Sequence, residues 1–336
     1  MTSVTTPPAV ERPRVARARR YGVSSRFVPV LATLVLFCVM YGIGIANYNG
    51  FSDTQILLNI FIDNAHLLTV AVGMTFVILS GGIDLSVGAV LALGTVLAAS
   101  LLQAGWPAVP VIVVVLASGA LIGLAQGAII HFFEIQPFIA TLAGLFTARG
   151  LAQLISTKAI PITNDFWTTD ATERIHFAGF RLSPSAVLAL VIALIAGLAL
   201  AYTRFGRNVY AIGGNRQSAA LMGLPVARTR VLVYTLSGLC AALGGVLYSF
   251  ETPTGNSLTG QGMELDAIAA VVIGGTLLTG GSGFLAGTVL GVLVLGLIQT
   301  MITFQGTLSS WWTRIFIAGL LFLFIVLQRV ATRRER

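Results

Sequence analysis

Lysine is almost absent from this chain. Lys158 stands alone among 336 residues and follows Thr157, so no GxxxxGK[ST] phosphate-binding loop exists here. If ATP drives this protein, another polypeptide hydrolyses it. Charge is scarce in general: 10% of residues, against roughly a quarter in soluble domains. Histidine is rare too. His66, His131 and His176 lie in separate segments without HExxH or other ligand spacing, there is no GxSxG elbow, and the acids are scattered. No residue is therefore assigned a catalytic or metal-binding role. The two cysteines, Cys38 and Cys240, fall inside apolar runs and imply no disulfide framework.

What fills the chain is apolar: 56% hydrophobic residues and a mean hydropathy of +0.90. That composition predicts an all-α polytopic membrane protein. Apolar windows suggest about ten transmembrane helices, at 27–47, 58–80, 87–103, 108–130, 137–155, 185–202, 231–250, 265–279, 284–303 and 311–328, with short broken or re-entrant Gly-rich segments between some of them. The first run is as long as a full crossing and no small-x-small cleavage site follows it, so an uncleaved span is expected. The net charge of +8 does not point to nucleic acid, because the arginines sit at the termini and in one central loop, without interleaved aromatics. With the N-terminus inside, the inner segments hold fifteen arginines and the outer ones three basic residues, Lys158, Arg174 and Arg181, against six acids. The positive-inside rule then puts both termini in the cytoplasm. The expected organisation is a basic tail at 1–26, a transmembrane domain at 27–328 and a short tail at 329–336.

The central loop, 203–230, carries five arginines and no acid. It spells out one short helix: Asn215 suits an N-cap, Arg216 to Met222 suit a helix, Gly223 supplies a left-handed stop and Pro225 prevents continuation. Two readings stand: a handle for a partner, or a solvated loop that only fixes orientation.

Charges inside apolar runs cost about 2.5–3.5 kcal/mol each at a helix centre and need reasons. Asp63, Asp84, Arg149, Asp266 and Arg314 are the candidates. Asp84 lies in Ser80-Gly81-Gly82-Ile83-Asp84-Leu85-Ser86, a polar break between two apolar runs. Asp84 or Ser86 capping the next helix is one reading; a gate or translocation path at Gly81, Gly82, Asp84 and Ser86 is the other. Arg149 and Arg314 read as side chains snorkelling to the interface, and Asp266 as an acid at a helix start. Gly274 and Gly275, candidates for the same gate or translocation path, are followed by Thr279-Gly280-Gly281-Ser282-Gly283 in a further glycine-rich break, where small residues let helices pack closely or break. A faint match at a shift of 199 pairs Ser80-Gly81-Gly82 with Thr279-Gly280-Gly281; both stretches face the same way, so no inverted repeat follows, and shared composition accounts for it.

With these features in hand, the chain resembles the permease subunits of bacterial sugar ABC importers, in the ribose, xylose and galactose branch. The carrying residues are Val72-Gly73-Met74-Thr75-Phe76-Val77-Ile78, the Ser80–Gly88 stretch, Thr203-Arg204-Phe205-Gly206-Arg207, Tyr210-Ala211-Ile212-Gly213-Gly214-Asn215 and the Glu264–Thr276 block. Ala159-Ile160-Pro161-Ile162 and the Gly306–Thr313 stretch are similar to galactofuranose-importer permeases. The resemblance implies an inner-membrane subunit that binds no nucleotide itself, ATP and Mg²⁺ being held by a sugar-type ABC ATPase. It implies a second, different permease chain, a periplasmic sugar-binding protein and a monosaccharide passing between the permeases. It also implies that Asn215, Arg216, Ser218, Ala219, Ala220, Leu221, Met222 and Gly223 form a coupling helix seated in the ATPase, with Ala219 to Met222 buried against it. The loops 156–184 and 251–264 would then face the binding protein. Two alternatives stay open at this point: a permease for a branched-chain amino acid or nucleoside, and a secondary transporter coupled to an ion through Asp63 or Asp84.

Overall fold

The computed structural model describes residues 28–177, 180–306 and 311–333. The basic tail at 1–26 and the Thr307–Ser310 part of the galactofuranose-type motif lie outside the described residues. Thirteen α-helices follow in order among those described: α1 Val28–Asn47, α2 Thr54–Asp63, α3 Ala65–Leu79, α4 Val87–Gln103, α5 Ala108–Phe132, α6 Pro137–Ile155, α7 Pro184–Tyr202, α8 Arg204–Gly214, α9 Arg216–Leu221, α10 Val226–Glu251, α11 Met263–Ile273, α12 Leu285–Gln305 and α13 Trp311–Arg333. The chain is an all-α polytopic membrane protein, 76% helical. Six helices are long and apolar enough to cross a membrane, and α2 with α3, bent by 60°, makes a seventh crossing by length; α4 and the Trp311–Val326 part of α13 are shorter apolar stretches.

Helix α10 is the axis. It is packed by α3, α4 and α5, and its approach to α5 is set by glycine. A Cβ on Gly119 would strike the Gly238 carbonyl, one on Gly238 the Gly119 carbonyl, and one on Gly123 the Tyr234 carbonyl. Small residues let two backbones touch where lipid offers no hydrophobic drive for association. Around this centre α1, α5, α6 and α7 turn Val39, Val113, Phe146 and Leu194 outward, each more than half exposed. That apolar belt is the surface a bilayer requires.

The stretch at 265–279 is not one continuous helix. Helix α11 ends at Ile273, because Gly274 caps it and Gly275, at φ +92°, turns the chain away. Eleven residues rise about 16 Å, half the ~30 Å hydrocarbon core. The other half of the path is coil. Residues 252–262 run back along α4: Gly255 lies against Thr95 and Ala99, and Gly260 against Gly88 and Leu91. Backbone groups of a coil placed inside a bundle must be satisfied by neighbours. Arg149 does this, donating to the Ser257 carbonyl and, at 2.8 Å, to the Thr259 carbonyl. Arg149 is thus tied inward to a re-entrant segment rather than reaching for an interface. Arg314 lies over the Trp311 ring at 5.1 Å, and Asp266 sits with Glu264 in the first turn of α11.

The loop at 156–184 is folded rather than plain. β1 Ile160–Pro161 pairs antiparallel with β4 Thr254–Gly255, and β2 Ile175–Phe177 with β3 Phe180–Leu182. Trp167 is fully buried, donates from Nε1 to Ser249 Oγ at 3.0 Å and packs edge-on against Phe250. The loop is a cap pinned to the end of α10.

Candidate coupling site and glycine joint

The basic loop holds two helices, not one. Thr203 caps α8, accepting from the Gly206 amide at 3.1 Å. Gly206 lies against the Leu200 backbone, so the corner between α7 and α8 is tight. Val209 and Ile212 turn inward, and Phe205 stacks on Phe76 of α3 at 5.9 Å. The 205, 209, 212 spacing was a legible amphipathic signal beside the more conspicuous cap at Asn215.

Helix α9 has the punctuation its sequence spells. Asn215 Oδ1 accepts from the Ser218 amide at 2.9 Å, and Gly223 adopts φ +75° before Pro225. The direction of its faces differs from expectation. Ala219 is fully buried, in a small cluster with Ile212 and Val226 of its own chain. It is a root, not a contact for a partner, because at position 219 the helix is pressed against α8 and the start of α10. Ala220 is exposed, and Leu221 and Met222 stand out at 90% and 68% exposure. Arg216 pairs loosely with Glu134 at 3.6 Å. Between α9 and the bundle lies a cavity of about 390 Å³ lined by Ser80, Gly81, Gly213, Asn215, Arg216 and Arg230.

Above that cavity three distant stretches meet backbone to backbone. The Gly281 amide donates to the Leu79 carbonyl at 2.9 Å. A Cβ on Gly213 would overlap that same carbonyl and stand 2.6 Å from the Gly281 nitrogen. Gly81, at φ +81°, faces Gly280, at φ +84°. The Tyr210 hydroxyl donates to the Gly283 carbonyl at 2.8 Å, and burial pushes its pKa upward, so it remains a donor. The end of α8 is therefore clamped between the α3–α4 break and the α11–α12 turn. Of the gate candidates, only Gly81 belongs to this joint. Gly82 lies against the Tyr234 hydroxyl, while Gly274 packs on Gly287 and Gly275 on Pro29, toward α1 and α12.

Asp84 and Ser86 sit deeper. Asp84 is fully buried; Oδ1 accepts from the Ser86 amide at 2.9 Å and its hydroxyl at 2.6 Å, and Oδ2 accepts from Ser237 at 2.7 Å. The carboxylate thus orders the turn that leads into α4, whose N-cap Ser86 makes no side-chain cap bond of its own, and ties that turn to α10. Asp84→Asn keeps an acceptor for the Ser86 amide, so it is expected to shift stability by less than about 1 kcal/mol. Asp84→Ala, which leaves three donors without an acceptor, is expected to cost about 2–4 kcal/mol. Thermal unfolding of both variants in detergent measures the difference. Among the described residues no group of three or more His, Cys, Asp or Glu side chains gathers as metal ligands.

Comparison with known proteins agrees with this architecture. The family model described as branched-chain amino acid transport system / permease component matches residues 56–326. The chain is 47% identical, over 91% of its length and 93% of the relative's, to the inner membrane ABC transporter permease protein YjfF of Escherichia coli strain K12. It is 40% identical to the fructose import permease protein FruG of Bifidobacterium longum, over 94% of both chains. It is 37% identical to the ribose import permease protein RbsC of Bacillus subtilis, over 91% of its length and 93% of the relative's. No solved structure matches. A helical bundle with a basic, separately capped loop, no phosphate-binding loop of its own, and sugar-import permeases as relatives along nearly its entire length together give one conclusion: the chain belongs to this permease family and is a permease of a sugar ABC importer, of the ribose, xylose and galactose branch.

Proposed function

We propose that this chain forms one half of the translocation path for a monosaccharide, galactofuranose or a close relative, and is driven through α9 by a separate ABC ATPase. The observation that carries the reading is the tip of α9. Leu221 and Met222 project from a loop with five arginines and no acid. Exposed apolar side chains on a basic rim are what a partner's cleft covers. In this reading α8 and α9 are cytoplasmic, as are both termini, in keeping with the clustering of arginine. A second permease chain completes the path, a periplasmic binding protein delivers the sugar, and ATP and Mg²⁺ reside on the ATPase.

The mechanism follows from the joint. Closure of the ATPase dimer displaces α9, and Ala219 makes α9 move with α8. The end of α8 pushes on the Leu79 carbonyl and the Gly280–Gly281 turn, so α3–α4 and α11–α12 tilt together. The α5–α10 pair, locked at Gly119 and Gly238, acts as the fixed part. Access then alternates by rocking around that axis.

Leu221→Asp tests the contact. It places a carboxylate where an apolar anchor would be buried and touches nothing in its own chain. Insertion and thermal stability should be unchanged, while co-purification of the ATPase and transport in vesicles fall by roughly thirtyfold or more, the equivalent of about 2 kcal/mol at a hot spot. Normal transport by Leu221→Asp would reject the coupling role of α9. Galactofuranose, fructose and ribose offered to the purified importer decide the sugar.

A further inference from the structure

At the end opposite α8 and α9, the exposed belt changes character. Helix α7 shows Leu190, Leu194 and Leu198 outward along its length, but at that far end the bend between α2 and α3 exposes Asp63. Asp63 divides two clefts. One, of about 480 Å³, is lined by Asp63, Thr168, Thr172, Arg174, Phe250 and Glu251. The other, of about 290 Å³, opens between Asn59, Asn64, Gln299, Thr300, Thr303 and Phe304. The larger volume falls in the ~300–1,000 Å³ range of small-molecule sites. Outside its lining, His66 Nδ1, buried without a hydrogen bond, lies 3.9 Å from Glu251 Oε2.

The chemistry narrows the occupant. Carboxylates, amides and hydroxyls at this density repel lipid tails, so the surface faces water or a polar guest. Two carboxylates beside one guanidinium disfavour an anion, and a guanidinium in the cleft wall disfavours a metal ion. Carboxylate and guanidinium groups each engage paired hydroxyls, and the ring of Phe250 offers a face for C–H groups. That set fits a neutral polyhydroxylated molecule.

We propose that the Asp63–Arg174–Glu251 cleft is a sugar site belonging to the permease itself, occupied by a monosaccharide with vicinal hydroxyls before it enters the path. The proposal rests on the sugar-importer reading above. The walls come from α2, the folded cap and the end of α10; Trp167 on Ser249 joins the cap to α10, and Gln55, bonded to the Arg181 backbone, joins α2 to the cap. Arg174 and Glu251 orient the hydroxyls, and Thr168 and Thr172 line the cap side. Tilting of α2 with α3 against the fixed α10 would open or close the cleft.

The permease–ATPase complex in nanodiscs, without binding protein, is titrated with fructose, ribose and galactose by saturation-transfer NMR, with leucine as control. Sugar signals without a leucine signal are expected, and Arg174→Gln and Glu251→Gln should each raise the apparent Kd about tenfold or more. Sugar transport by the same variants should show a raised KM. Thr172→Val, a smaller change, should raise the Kd severalfold and guards against misfolding of the charge variants. Absence of a wild-type sugar signal, or wild-type Kd and KM in all three variants, overturns the site. Loss of binding-protein association with unchanged sugar binding would make the cleft a protein-docking face, and also overturns it. Failure of the importer reading looks different: the wild-type complex would then transport leucine, or nothing, instead of sugar.

Discussion

Transport is expected to be lost in Gly213→Val and retained in Gly214→Ala, although the two glycines are neighbours on the same helix end. Position 213 has no room. Any Cβ there meets the Leu79 carbonyl and the Gly281 nitrogen, which already hydrogen-bond to each other. Backbone cannot swing aside as a long side chain does, so valine must either pry α8 off the bundle or pull the Leu79–Gly281 contact apart. At Gly214 nothing lies within 4 Å, and alanine also favours the helix. Disturbing the joint by about 2 kcal/mol changes a conformational equilibrium roughly thirtyfold. Gly213→Val should therefore insert and bind the ATPase through an intact Leu221–Met222 tip, yet hydrolyse ATP without moving sugar. Reconstituted ATPase and uptake rates, measured side by side, read this directly. Coupled uptake in Gly213→Val would show that the contact with α3 and the 280–281 turn transmits nothing.

Arg149→Met should be strongly destabilising, on a par with Asp84→Ala. The methionine fills much of the same space but leaves the Ser257 and Thr259 carbonyls without the donor that holds the coil inside the bundle. A cost of about 2–4 kcal/mol is expected from two lost charge-assisted hydrogen bonds. Thermal unfolding should drop accordingly, and limited proteolysis should open a new cut within 252–262. Arg149→Lys should recover only part of the loss, since one ammonium cannot copy a planar fork. Arg314→Met is the comparison: Arg314 is exposed and rests over Trp311, so its loss should cost about 0.5–1 kcal/mol. Equal stability of Arg149→Met and wild type would mean that the coil needs no anchor.

Local features were legible in the sequence. The Asn215 cap and the Gly223 stop are settled within a few residues, and the structure keeps both. Ten apolar stretches each contain a helix for the same reason: hydropathy is summed over neighbours. What escaped depended on residues far apart. Arg149 is 108 positions from Ser257, so nothing near it signals an inward partner. Helix α11 looked like a crossing because Val271 and Val272 run into Thr276 and Leu277, and hydropathy does not register that Gly275 turns left-handed. Ala219 was placed on a partner-facing side because a six-residue helix has no periodicity long enough to orient it. Gly213, Gly81 and Gly281 are each an ordinary small residue in a helix end or turn. Only the fold makes them one contact.

The split character of the path around α11 bears on how the protein is made. An eleven-residue apolar helix is shorter than the ~17–25 residues that enter a bilayer unaided, and the coil before it is polar. When this stretch leaves the ribosome it has no reason to partition on its own. Its receptor, the groove along α4 at 87–103 with Arg149 waiting, was synthesised well before it. Biogenesis is therefore a two-step affair. The earlier helices must be laterally settled first, and the 252–273 stretch then docks into them as a guest, drawing α12 into register behind it. A nascent chain halted before residue 252 would hold an open, polar slot along α4, and this is the intermediate on which a membrane chaperone or a quality-control protease would act.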